Sequence, residues 1–232
     1  MRLSVDDIAR MMDISAVRTD VCPAEVEQMA GEAKKYNCII AYVMPCYIEQ
    51  LRGLLADAAE VGPGAPVGFP SGAQTTAVKV AEAKELVALG TVELDMVANV
   101  GWLKSGRCDD VEEDIRRVVE AVEGTPVKVI LECHYLDDEQ MRAGCEASIR
   151  AKAAFVKTGT GWAPSGATLH NISLLKSVAG EDIRVKASGG VRDVETLAEM
   201  YRRGATRFGV GWKAAAKLIE QCAALPGGAI EV

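Results

Sequence analysis

The chain alternates short apolar runs with longer amphipathic stretches. The runs are 38–44 (CIIAYVM), 65–69 (APVGF), 92–97 (VELDMV), 127–132 (VKVILE), 153–157 (AAFVK), 184–188 (RVKAS) and 206–210 (TRFGV), and the short segment 11–15 (MMDIS), before the first long helix, supplies an eighth. Most are apolar at consecutive rather than alternate positions, the pattern of strands covered on both faces. Between them, stretches such as 24–36, 75–89, 109–122 and 193–204 carry apolar residues at helical spacing. One strand and one helix recurring roughly every 25–30 residues is the unit of a parallel sheet joined by crossover helices.

Eight such units in 232 residues predict a TIM (β/α)8 barrel forming one domain over residues 1–232, close to the usual ~250 residues of that fold. A doubly wound open sheet is the alternative. Against it, no Gly-x-Gly-x-x-Gly run opens the helix after the first strand.

Barrels of this kind carry their chemistry where strands end and βα loops begin. That rule selects Asp13, Asp95, Glu132, Lys157 and Lys186. Burying an ammonium without a partner is costly, so two lysines in largely apolar strands are either paired with carboxylates or used for a shifted pKa. On neighbouring strands their repulsion and desolvation favour the neutral amine in one of them, which becomes a nucleophile for a carbonyl carbon. Lys157 is expected to attack and Lys186 to keep it unprotonated. Asp95 is read both as their salt-bridge partner and as a proton shuttle.

Gly189 and Gly190 precede a helix expected near Asp193, and GVGW (209–212) precedes the last one. Glycine turns feeding helix N-termini after the seventh and eighth strands suit an anion, with Arg192 and Lys213 nearby. The whole chain is acidic, with 33 acidic against 26 basic side chains and a net charge of -7. This argues against a general nucleic-acid or membrane-surface binder, so any anion must be held locally. No run approaches ~18 apolar residues, the N-terminus lacks a long apolar core, and a soluble cytoplasmic protein is expected. Seven scattered cysteines without a Cys-x-x-Cys pair suggest neither a disulfide framework nor a zinc site. His134 and His170 lack metal or triad spacing. Trp102, Trp162 and Trp212 all follow strands, where they either line the pocket mouth or pack loops, and Met96 and Met200 are expected in the core.

The motifs VGFPSGAQTT, VELDMVANVGWLKSG, VKVILECHYL, FVKTGTG and VKASGGVR, with MDIS and GVGW at the two ends, resemble the class I deoxyribose-phosphate aldolase family over nearly the whole chain. The resemblance implies a barrel that uses neither metal nor cofactor. It cleaves 2-deoxyribose 5-phosphate to acetaldehyde and glyceraldehyde 3-phosphate through a lysine Schiff base. It also implies Lys157 as the Schiff-base lysine, Lys186 as the residue lowering its pKa, and Asp95 as the proton relay. Asp13, Ser15, Thr158, Gly161, Gly189, Gly190, Gly209 and Gly211 are implied on the substrate and phosphate side. The partners are small aldehydes and sugar phosphates, and a homo-oligomer, dimer or tetramer, is expected.

The periphery departs from the family. Ile14, Ser15, Ala16 and Val17 stand where it has His-Thr-Leu-Leu, and Tyr42 and Met44 precede Pro45. Gly211 and Trp212 replace its two phosphate-binding serines, and Trp162 occupies a position that is often lysine or phenylalanine. A Schiff-base aldolase with a different acceptor is therefore one alternative. A non-catalytic phosphosugar-binding barrel and a metal enzyme using Glu132, Asp95 and His134 are two others.

Overall fold

The computed structural model describes residues 1–232. Eight parallel strands close into a barrel: β2 (Met12–Ala16), β3 (Ile40–Val43), β4 (Gly62–Val67), β5 (Glu93–Val97), β6 (Val127–Ile130), β7 (Phe155–Lys157), β8 (Arg184–Ser188) and β9 (Ala205–Gly211). The expected TIM barrel is found. Its strands match the eight runs, with ends shifted by up to three residues.

The shifts have local causes. β4 starts early because Gly62-Pro63-Gly64 is already extended and paired with β3, and it stops before Gly68, whose φ of 65° leaves strand geometry. VKVILE ends as a strand at Ile130, two residues before Glu132, which has a left-handed φ of 57°. An antiparallel pair outside the barrel, β1 (Arg2–Ser4) with β10 (Ala229–Glu231), has no counterpart in the apolar runs.

The outer ring comprises α2 (Pro23–Lys35), α3 (Ile48–Leu54), α4 (Thr76–Ala88), α6 (Cys108–Ala121), α7 (Asp138–Arg150), α8 (Leu169–Ala179), α9 (Val194–Arg202) and α10 (Trp212–Ala223). Two short helices, α1 (Val5–Ala9) and α5 (Val100–Lys104), complete the set. Asp193 caps α9 by accepting the Thr196 N–H, as expected for a helix starting there. Met96 and Met200 are buried in the core. No helix is long and apolar enough to cross a membrane.

Strands and helices pack through one apolar layer that includes Ile8, Met29, Leu51, Leu86, Ile115, Leu175 and Leu218. The barrel interior is different, because alternate strand residues face inward and many of these carry charge. Space for them comes from small residues. A Cβ on Gly64 would lie 2.7 Å from the Tyr42 ring, so glycine is what lets that ring enter the interior.

Candidate active site

Three lysines on consecutive strands converge inside the barrel. Lys128 occupies the second position of β6, Lys157 the last of β7, and Lys186 the third of β8, where it is in register with Lys157. All three are buried. A Cβ on Gly209 of the neighbouring strand would sit 3.0 Å from Lys186 Cε, so glycine there leaves a path for the lysine stem.

Asp95 is the hub. Its Oδ2 accepts from Lys157 Nζ at 2.6 Å and from Lys186 Nζ at 2.6 Å, while Lys128 Nζ lies 3.6 Å from Oδ1. Asp13 is the second anion. Its Oδ2 stands 2.5 Å from Lys186 and 3.2 Å from Lys128, and its Oδ1 accepts from Arg207 at 2.8 Å. The Oδ2 contacts are ionic but off the angles of a hydrogen bond, so that oxygen has a charge neighbour and no formal donor. Below these, Glu93 binds Arg207 and the Lys128 ammonium, which also donates to the Tyr42 hydroxyl at 2.7 Å.

The cluster therefore holds four cations, Lys128, Lys157, Lys186 and Arg207, against three carboxylates, Asp13, Glu93 and Asp95. Burial alone would raise the Asp95 carboxyl; Lys157, Lys186 and Lys128 overcome that and hold it well below the usual carboxylate range. Asp13 is lowered in the same way by Lys128, Lys186 and Arg207. The depressed ammonium is Lys186. Burial pushes it down to about 8 against the pull of Asp13 and Asp95, and Lys157 and Lys128 add to the lowering. Lys186 sits deeper than Lys157, 1% exposed against 7%.

Asp13, Ser15, Asp95, Lys157 and Lys186 line a cavity of about 30 Å³ together with Tyr42, Pro66, Phe69 and Thr160. Ser15 and Thr160 also border a wider pocket of about 360 Å³, walled by Gly161, Gly189, Gly190, Gly209, Gly211, Trp212 and Lys213. The N–H groups of Gly161, Gly189 and Gly190 donate to no group of the chain, and the first turn of α10 borders the same pocket. Free N–H groups and a helix N-terminus suit an anion. The sequence-predicted residues thus gather around two joined cavities.

Other candidates stand outside these cavities or meet them from the side. Thr158 lines neither cavity; its hydroxyl donates to Ser188 O and accepts the Ser188 N–H, tying β7 to β8. Glu132 faces the Thr160 N–H and hydroxyl, bracing the loop after β7. His134 is exposed and bonds Ser165, so Glu132, Asp95 and His134 do not converge, and no group of metal-ligating side chains forms. His170 is a surface residue on Asp138. Trp162 and Trp212 line the wider pocket, whereas Trp102 packs against the Arg107 guanidinium.

Trp212 Nε1 donates to Glu25, whose carboxylate also grips Arg18 through two 2.8 Å bonds. These groups are occupied with one another. Lys213 stands over the Trp212 ring at 5.0 Å and forms no salt bridge, leaving it available to a ligand in this pocket. Lys128, Glu93 and Arg207 escaped the sequence reading because they lie in the first half of their strands, away from the C-terminal ends. The available signal was a charged residue early in each of VKVILE, VELDMV and TRFGV.

Closed parallel strands with buried lysines around a shared carboxylate at the C-terminal mouth define a TIM-barrel enzyme of the lysine-dependent carbon–carbon lyase class. No family model matches the sequence. Curated relatives do: deoxyribose-phosphate aldolase of Rhizobium meliloti is 44% identical over 99% of this chain and 93% of its own length. That of Klebsiella pneumoniae is 43% identical over 92% of this chain and 86% of its own. A crystal structure of a putative deoxyribose-phosphate aldolase from Coccidioides immitis superposes with a TM-score of 0.89 at 36% identity, covering 93% of this chain and 85% of that one. The Aeropyrum pernix aldolase, described as having a unique tetrameric structure, gives 0.88 at 29% identity over 96% of this chain and 94% of its own. The chain belongs to the deoxyribose-phosphate aldolase family.

Proposed function

We propose that this protein is a class I aldolase that reversibly cleaves 2-deoxy-D-ribose 5-phosphate to acetaldehyde and D-glyceraldehyde 3-phosphate. The observation that carries the reading is the binding of two lysine ammoniums, Lys157 and Lys186, to one oxygen of Asp95, each at 2.6 Å. A proton can pass from Lys157 along the Asp95 contacts to Lys186 once Lys186, down at about 8, has lost its own. The Lys157 amine is therefore freed increasingly as pH rises through about 8.

The freed Lys157 amine adds to the sugar's aldehyde carbon, and the resulting carbinolamine loses water to give an iminium. Removal of the C3 hydroxyl proton then breaks the C2–C3 bond. Its electron pair moves into an enamine with the lysine nitrogen, and glyceraldehyde 3-phosphate leaves. Protonation of the enamine carbon and hydrolysis release acetaldehyde and restore Lys157. Asp95, held ionised, serves as the proton carrier, and Asp13 fixes Lys186 beside it.

The phosphate fits the wider pocket, where the backbone N–H groups of Gly161, Gly189 and Gly190 and the N-terminus of α10 meet Lys213. Self-association into a dimer or tetramer and a cytoplasmic setting belong to the same reading, the latter in keeping with seven free cysteines. The test is direct. Borohydride with acetaldehyde should leave a reduced two-carbon adduct on Lys157, and incubation with 2-deoxyribose 5-phosphate should release acetaldehyde. Trapping without cleavage would move the protein to an aldolase of another acceptor; no trapping with any carbonyl compound would end the enzymatic reading.

A further inference from the structure

Ser15, Val17, Thr160, Ser188 and Gly209 line both the Lys157 cavity and the wider pocket. They form the seam that a ligand reaching from one to the other must cross. Three of them carry hydroxyls, and two of these are occupied. Ser15 Oγ donates to Val210 O at 3.2 Å. Thr160 Oγ1 donates to the Glu132 carboxylate and accepts the Trp162 N–H at 3.0 Å. The Ser188 hydroxyl bonds no group of the chain. That residue is held through its backbone instead, its N–H donating to Thr158 Oγ1 at 2.9 Å and its carbonyl accepting from Thr158 Oγ1 at 2.9 Å and from the Ala167 N–H at 3.1 Å.

Ser188 is 5% exposed, and a buried hydroxyl without a partner calls for one. Its direction is set by the strand. Two residues beyond Lys186 in β8, it stands on the same inward face. Gly209, its register partner in β9, makes the room, because a Cβ there would lie 2.8 Å from Ser188 Oγ. The backbone is fixed while the hydroxyl is left for a ligand.

The order of groups along the chain matches the order along the sugar. Gly189 and Gly190 follow Ser188 directly, with the free N–H groups of the anion pocket, and Lys186 and Lys157 lie on its other side. In the bound sugar phosphate, C1 is joined to Lys157, the phosphate is carried on C5, and the hydroxyls between them are on C3 and C4. The C3 hydroxyl loses its proton as the C2–C3 bond breaks and becomes a carbonyl. The C4 hydroxyl takes no part in the chemistry, adjoins the phosphate-bearing carbon, and needs a partner once water is displaced. A serine hydroxyl both donates and accepts, so it suits that group.

Resting on the aldolase reading above, we propose that Ser188 Oγ binds the C4 hydroxyl of the sugar phosphate. This is the C2 hydroxyl of the glyceraldehyde 3-phosphate acceptor, so Ser188 selects acceptors that carry a hydroxyl beside the aldehyde.

The experiment runs the reaction in the direction of addition, with acetaldehyde as donor and with D-glyceraldehyde 3-phosphate or 3-oxopropyl phosphate as acceptor. The two acceptors differ only in that hydroxyl. The unsubstituted protein is expected to favour the hydroxylated acceptor in kcat/KM by about tenfold. In Ser188→Ala the preference should fall to about twofold or less, through a loss with glyceraldehyde 3-phosphate alone, while borohydride trapping of acetaldehyde on Lys157 stays unchanged. No preference in the unsubstituted protein, a preference that survives Ser188→Ala, or an equal loss with both acceptors overturns the proposal and leaves the aldolase reading standing. Trapping without addition to glyceraldehyde 3-phosphate in the unsubstituted protein overturns the proposal together with the deoxyribose phosphate reading. Loss of acetaldehyde trapping in Ser188→Ala, in protein whose circular dichroism is native, also overturns it, because a group that holds the acceptor leaves the donor step alone.

Discussion

Two places in this molecule bury lysine, and they differ in how the charge is matched. Between α4 and α6, Lys79 is fully buried and donates to Asp114 Oδ2 at 2.6 Å and to Val97 O at 3.0 Å, while Thr76 satisfies Asp114 Oδ1. Each charge has one partner, and the remaining capacity goes to neutral groups. Inside the barrel, four cations divide three carboxylates, and one Asp95 oxygen serves two ammoniums. The first arrangement is closed: losing the Lys79 proton to any outside acceptor would leave the Asp114 carboxylate buried without its cation. The second is open, because any one amine can give up its proton while the carboxylates keep cationic partners. Burial of a lysine says little about chemistry; sharing of its counter-ion says much more.

The comparison breaks most visibly at Lys157. Lys157→Ala should remove adduct formation and lower the cleavage rate by ~10³-fold or more, with a thermal midpoint near that of the unsubstituted protein, since excess positive charge is removed from the cluster. Equal trapping in the two proteins would contradict the assignment. Lys186→Leu is next in size, with an expected loss of ~10²–10⁴-fold, the range of a proton-transfer group. Its pH profile is more telling than its rate. With Lys186 pushed down to about 8 from the ordinary 10.5, trapping by the unsubstituted protein should climb as pH rises through about 8. Without Lys186, Lys157 has Asp95 to itself and loses a repelling neighbour, so the climb should move to higher pH. Stability follows the same sign: a depressed lysine costs stability while protonated, so its contribution improves as pH rises from about 8 toward 10.5.

At the closed site the effect falls on folding instead. Lys79→Met leaves Asp114 buried without its cation, and breaking such a pair costs ~3–5 kcal/mol, a drop readable in chemical denaturation. Trapping per folded molecule should stay close to normal, since the pair faces α4 and α6 rather than Lys157. A catalytic loss here as large as that of Lys186→Leu would erase the distinction between the two sites.

How much of this was legible beforehand differs between fold and site. Strands covered on both faces leave consecutive apolar residues, so seven barrel strands stood out and the short MMDIS segment supplied the eighth, and Lys157 and Lys186 were visible as ammoniums in such runs. Lys128, Glu93 and Arg207 carry the same signal in the first half of their strands, where a rule about C-terminal strand ends passes over them. Which lysine is depressed depends on depth and on four neighbouring charges from different strands, and no single run encodes that. Thr158 shows the opposite failure: the resemblance set it among ligand-binding residues, while its hydroxyl is used up by the Ser188 backbone. The β1–β10 pair escaped because three-residue strands at opposite ends of the chain leave no periodicity to read.

The smallest effect lies in the wider pocket. With Trp212, Glu25 and Arg18 bonded to one another, Lys213 is the pocket's uncommitted cation. It is also exposed, so its attraction for a phosphate is screened, and an exposed pair is worth only ~0.2–1 kcal/mol. Lys213→Ala should therefore raise KM for 2-deoxyribose 5-phosphate by only a few-fold with kcat nearly constant, and added salt should shrink the difference further. Non-phosphorylated 2-deoxyribose should respond equally in both proteins. If the phosphorylated sugar does as well, the backbone N–H groups and the α10 terminus hold the anion without help from Lys213.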